Sequence, residues 1–143
     1  MKQNIRTLFK PLKTLKQMFK TIKDHSDPML AQGVYQIPCA CGKSYIRQTS
    51  HSIQTRLKEH IDNTHHNRVS KSAITEHSFN SKHLICFDQT KILASTAHYS
   101  SRLIREVLEI EKHPNNFNCE DGYKLSQSWK PLTHYFNHID PKP

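Results

Sequence analysis

The residues able to do chemistry fall into two groups. Tyr35 and Tyr45 stand ten residues apart, Arg56 and His60 four apart, and Glu106 and Asn118 follow far downstream. Together they supply phenols, a guanidinium, an imidazole, a carboxylate and a carboxamide, groups that move protons, meet anions or hold hard cations. Taken singly, each has an ordinary explanation. A strand tyrosine packs half-buried. Arg56 and His60, at i and i+4, share one helix face and read as solvated. Glu106 reads as a surface residue of a helix, and Asn118 as a turn. The second group is Cys39-x-Cys41 with His77-x5-His83. Thiolate and imidazole are zinc donors. The Cys spacing is tighter than that of common fingers and the His spacing sits at their loose end. On spacing alone the signal is weak, and free cysteines are the default. Cys86 and Cys119 are reserve ligands, while His65, His66 and His113 read as surface residues.

These side chains need elements to hold them. Gly33-Val34-Tyr35-Gln36-Ile37 alternates and is rich in β-formers, so it reads as a strand. Pro38 to Gly42 makes a turn, and Lys43 to Arg47 the hairpin partner. Thr49 and Ser50 open a helix whose stripe is Ile53, Leu57 and Ile61. A short helix runs on from Ser72 through Ala73, Ile74 and His77, and Lys91-Ile92-Leu93-Ala94 suits a third strand. The strongest helix follows Ser100-Ser101. Its expected apolar face is Leu103, Ile104, Val107, Leu108 and Ile110, and Pro114 stops it.

The chain has 143 residues, enough for one ordinary domain and a short appendage, which excludes a multidomain machine. Its 35% hydrophobic content is too high for a wholly disordered chain. No apolar run approaches the roughly 20 residues of a bilayer span, so a transmembrane span is excluded and no membrane partner is expected. The formal net charge of +9 points to a polyanionic partner. That charge is unevenly placed. Residues 1–23 carry seven bases and no acid, leaving +2 for the rest. Within this arm Ile5, Leu8, Leu12, Leu15, Met18, Phe19 and Ile22 form an apolar helical stripe that Pro11 should kink. A solvated linker, a nucleic-acid-gripping arm and a targeting helix all satisfy it. The division expected is an arm over 1–28, a compact α/β domain over 29–135 and a loose tail over 136–143. Four cysteines with no secretory signal before them fit a reducing compartment.

Order and spacing together say more than any residue alone. Gly33-Val34-Tyr35, Tyr45-Ile46, Arg56-x3-His60, Glu106 and Asn118 form a series that resembles the GIY-YIG nuclease family. Cys39-x-Cys41-Gly42-Lys43-Ser44-Tyr45-Ile46-Arg47-Gln48-Thr49 and Thr55-Arg56-Leu57-Lys58-Glu59-His60 are more particular. So are Arg102 to Glu106, Glu111 to Asn118, Asp121 to Leu125 and Trp129-Lys130-Pro131. These are similar to the endonuclease domain of Penelope-like retroelements, and the likeness runs from residue 33 to about 132.

The resemblance implies a short antiparallel sheet of three strands flanked by helices. It also implies metal-dependent nicking of DNA. Phosphodiester hydrolysis needs a nucleophilic water, a base, charge neutralisation and leaving-group stabilisation. By resemblance Tyr35 is the general base, Tyr45 positions water or phosphate, and Arg56 neutralises charge on phosphate. His60 assists Tyr35 or binds phosphate, Glu106 holds one Mg²⁺ (or Mn²⁺), and Asn118 braces the site. The likeness further implies a structural zinc on Cys39, Cys41, His77 and His83. DNA is the implied partner and the nucleus the implied location. A reverse transcriptase would have to come from another chain, because this one has no room for a polymerase; otherwise the chain is a truncated element copy. One departure from the family matters: Arg47 stands where a glycine follows Tyr-Ile, whereas Val34 in place of Ile is a mild change. The alternative Arg47 raises is a catalytically impaired, zinc-containing nucleic-acid-binding module.

Overall fold

The computed structural model describes residues 27–118 together with 126, 128 and 131. The basic stripe of the arm, Cys119, Asp121 to Leu125, Trp129 and Lys130, and the tail over 136–143 lie outside the described residues. Among the described residues the architecture is α/β, with three antiparallel strands and three α-helices. Strand β1 (Gly33–Pro38) is central, flanked by β2 (Ser44–Thr49) on one side and β3 (Lys91–Ser95) on the other. Helices α1 (Ile53–His65) and α2 (Ala73–Ser81) lie between β2 and β3 in the chain, and α3 (Tyr99–Lys112) follows β3.

The β1–β2 register sets Tyr35 opposite Arg47 and Ile37 opposite Tyr45. Because side chains alternate across a sheet, Tyr35, Ile37, Tyr45 and Arg47 share one face. On it Tyr35, Ile37, Tyr45, Ile53, Ile74 and Ile85 form the buried core. Val34 and Ile46 point the other way, toward α3, which packs on β1 and β2. Each fully buried aliphatic side chain contributes about 1.5–3 kcal/mol. Gly33 is required by packing: a Cβ there would stand 2.0 Å from the Ala94 carbonyl oxygen. Gly42 turns the hairpin at φ +83°, a left-handed conformation that costs glycine little.

Two local expectations are corrected. Thr49 ends β2 rather than opening a helix. Helix α1 starts at Ile53, capped by Ser52, whose hydroxyl accepts from the Thr55 N–H at 3.1 Å. In α3 the buried residues are Arg102, Glu106, Val107 and Glu109, whereas Ile104 is 45% exposed. The expected apolar face therefore shares the interior with a polar stripe. Polar groups tolerate this burial because partners await them. Arg102 donates to the Gln48 and Gln32 side chains and to the Ala97 carbonyl. Glu109 pairs with Arg105 at 2.7 Å and Lys112 at 3.6 Å.

Beyond Pro114 the chain runs back along the outer edge of β2. The Ser44 N–H donates to the Asn115 carbonyl and the Phe117 N–H to the Ser44 carbonyl, both at 3.1 Å. This return brings Asn118 to the strand that carries Tyr45 and Arg47.

Candidate functional site

The first site centres on the Tyr35 phenol. Strand β1 supplies Tyr35, β2 supplies Tyr45 and Arg47, and α1 supplies Arg56 and His60. Tyr35 Oη lies 2.9 Å from His60 Nε2. His60 Nδ1 lies 3.1 Å from Ser72 Oγ, so both ring nitrogens have partners inside the protein. The Tyr45 ring meets His60 edge-on, with centroids 5.5 Å apart, and stacks on Phe117 at 5.9 Å. Tyr35 and His60 are wholly buried. Burial, then Tyr45, pushes the Tyr35 phenol well above its ordinary value, while the Arg56 and Arg47 guanidiniums pull it back. Burial, then the positive fields of Arg56 and Arg47, lowers His60 to about 4. At neutral pH the pair is therefore an uncharged phenol against an uncharged imidazole.

Glu106 reaches the same region from α3. It is 4% exposed, and its Oε1 accepts the Gln48 N–H at 3.3 Å. Arg47 Nε stands 3.6 Å from that same oxygen. Burial pushes the carboxyl up, while Arg47 and the Gln48 N–H hold it down. Both of these contacts fall on Oε1, which sets Oε2 apart. It is the hard oxygen that Glu106 offers a divalent cation, and that chemistry fits. Arg47 is the only cationic side chain within 4.0 Å of Glu106 among the described residues. Asn118 is committed to bracing: its Oδ1 accepts the Ile46 N–H at 3.0 Å and its Nδ2 donates to the Ile46 carbonyl.

A cleft of about 450 Å³ opens in front of this centre, lined by Tyr45, Arg47, Arg56, Ser70, Lys71 and Ser72 among others. Three cationic side chains and one carboxylate, Glu76, thus line one cavity, and this net positive wall suits a phosphate-bearing ligand. The structure brings Tyr35, Tyr45, Arg56 and His60 together and sets Glu106 beside them through Arg47. Asn118 stays on the strand edge. Sequence reasoning missed Lys71 and Ser72. A signal existed for Ser72: it occupies the N-cap position of α2 yet makes no capping bond, because its hydroxyl goes to His60.

The second site is the group Cys39, Cys41, His77 and His83. Their ligand atoms all lie within 4.8 Å of one another. Both Cys39 Sγ and Cys41 Sγ stand 3.4 Å from His77 Nε2. A tetrahedral zinc with bonds of about 2.0–2.3 Å has ligand-to-ligand edges of about 3.3–3.8 Å, so these separations suit such an ion. The β1–β2 turn supplies both cysteines, and α2 with the loop after it supplies the histidines. Phe117 stacks on the His77 ring at 4.2 Å, and His83 lies 5.5 Å from it. Backbone donation from Lys43 lowers the Cys41 thiol; burial raises that of Cys39. This group can hold a metal ion such as zinc. Cys86 is not among its four members.

No helix among the described residues is long and apolar enough to cross a membrane. No family model, curated protein or solved structure matches this chain. Its function is therefore argued from the geometry above and from the motifs of the sequence.

Proposed function

We propose that this domain is a DNA endonuclease of the GIY-YIG type, of retroelement origin, held together by a structural zinc. One observation carries the reading. Arg56, Arg47, Tyr45 and His60 converge on the buried Tyr35 phenol, and three of them, Tyr45, Arg47 and Arg56, also line the adjoining cleft. In that cleft Arg56 and Lys71 neutralise a phosphodiester, and Arg56 presents a fork of donors matched to two phosphate oxygens. Tyr45 lines the same cavity and limits where the phosphate rests.

Tyr35 is the proton acceptor for water in this reading, but at rest it is a neutral, buried phenol. As it takes the proton of water, its own proton passes to His60 Nε2, 2.9 Å away, and the two guanidiniums that oppose burial stabilise the developing phenolate. With the His60 proton on Nδ1, donated to Ser72, Nε2 accepts the Tyr35 O–H and aims the phenol. Glu106 would hold the Mg²⁺, which when bound supplies Lewis-acid charge neutralisation. Cys39, Cys41, His77 and His83 would hold zinc with four protein ligands, a closed structural site rather than a catalytic one. It ties the β1–β2 turn to α2, and so fixes the strands that carry both tyrosines.

A specific observation favours a second reading. Because Arg47 pairs with Glu106, a nucleic-acid-binding module without cleavage is also consistent with the site. The test is plasmid nicking in Mg²⁺ by the wild type, Tyr35→Phe and Glu106→Ala. Nicking by the wild type, with a loss of about 100-fold or more in both variants, supports the endonuclease. Equal rates in all three exclude the assigned site. Salt-sensitive binding without nicking by either the wild type or Arg47→Gly supports the module.

A further inference from the structure

Arg47 faces two kinds of anion. Behind it is Glu106, 3.6 Å from its Nε and 4% exposed. In front is the cleft it lines with Arg56 and Lys71. Its own side chain is 39% exposed, so the guanidinium is not locked in the interior. A guanidinium carries five donors on a long flexible stem and can serve either anion. Among the described residues no other cationic side chain stands within 4.0 Å of Glu106. The carboxylate is thus already answered by a positive charge that belongs to the chain.

We infer that Arg47 is a resident counter-cation at Glu106, competing there with a divalent metal ion. The inference rests on reading Glu106 as the ligand of that ion. A divalent ion on Oε2 would sit within a few ångströms of the guanidinium, and like charges at that range repel strongly where water is partly excluded. The free protein therefore binds such an ion weakly. A phosphate in the cleft offers Arg47 an alternative anion and releases Glu106. DNA and metal binding are then positively coupled through one side chain.

The experiment measures Mn²⁺ affinity of the zinc-loaded full chain, by calorimetry and by water-proton relaxation, without DNA. Wild type is compared with Arg47→Gln, Arg47→Ala and Arg47→Lys. Both neutral variants are expected to bind Mn²⁺ about tenfold tighter or more, while Arg47→Lys, which keeps the charge, stays within about threefold of wild type. Having two neutral variants guards against one that fails to fold. Unchanged affinity in a folded neutral variant overturns the inference. Tightening in Arg47→Lys equal to that in Arg47→Gln overturns it too, because bulk rather than charge would then be responsible. Adding Glu106→Gln to Arg47→Gln should abolish the gain; a gain that persists shows that Glu106 is not the ligand. If Arg47→Gln tightens Mn²⁺ binding but no form nicks DNA, the endonuclease reading fails and this inference stands.

Discussion

The Cys39/Cys41/His77/His83 group and the Tyr35 centre are neighbours built from the same strands, yet they settle their charges in opposite ways. In the first, two thiols and two imidazoles point at one another, with Lys43 the charged neighbour whose field reaches Cys41 and His77. Until a metal enters, the set is held only by weak thiol–imidazole contacts at 3.4 Å. In the second, the groups around Tyr35 already answer one another. Glu106 has Arg47, Arg56 has Glu59, and the buried phenol and imidazole satisfy each other as neutral groups. The contrast teaches that converging ligands show where an ion belongs, whereas a carboxylate paired to a guanidinium shows where an ion must compete. Phe117 touches both regions, stacking on His77 and on Tyr45. A disturbance of the metal group therefore reaches the wall of the cleft.

The largest expected effect tests whether the Cys/His group organises the hairpin. Cys39→Ser should lower zinc content from about one ion per chain to almost none. It should also reduce the thermal midpoint by about 10 °C or more, read by metal analysis and calorimetry. Retained zinc would remove the contrast between the two regions.

A smaller effect comes from the neutral pair at the Tyr35 centre. Burial holds His60 at about 4 in the folded chain, against an ordinary value near 6.5 when unfolded. Between those values the unfolded state binds the proton and the folded state does not. Stability is therefore full above about pH 6.5, falls as pH drops, and levels off below about pH 4. The loss amounts to up to about 3 kcal/mol. Denaturant melts of the zinc-saturated protein from pH 7 to 4.5 should show this slope, and His60→Gln should flatten it. Acid loosens zinc in both proteins, so the difference between the two curves is the quantity to read. An identical slope in His60→Gln would show that the imidazole is not the group responsible.

Asn118→Ala should have the smallest effect of the three. It removes two hydrogen bonds to the Ile46 backbone and is expected to cost about 1–3 kcal/mol. A nicking loss far beyond that stability change would make Asn118 part of the chemistry rather than a brace of β2.

Much of the frame was legible because hydrophobic period and turn residues are local signals. The alternation over Gly33 to Ile37, the turn ending at Gly42 and the third strand near Lys91 all lie close to where they were expected. The face of α3 was not legible. The spacing Arg102, Glu106, Glu109 is as helical as that of the leucines. Its burial depends on Gln48, Gln32 and Ala97, which are distant in sequence. Cys39, Cys41, His77 and His83 were grouped by the family likeness, but spacing of 1 and 5 intervening residues left free thiols open. Only the packing of α2 against the hairpin turn set the four donors within reach of one ion. Arg47 stood out in the sequence as a departure from glycine; its pairing with Glu106 emerged only with the fold.

What the amino-acid sequence determined by itself was the set of elements and the inventory of reactive groups, because period, capping and turn chemistry act over a few residues. Tertiary structure alone decided which of those groups meet. His60 went into the core, where its second nitrogen found Ser72. Glu106 turned inward from α3 and met a guanidinium from β2. Such meetings depend on distances between residues tens of positions apart, and those distances exist only once the sheet and helices have packed.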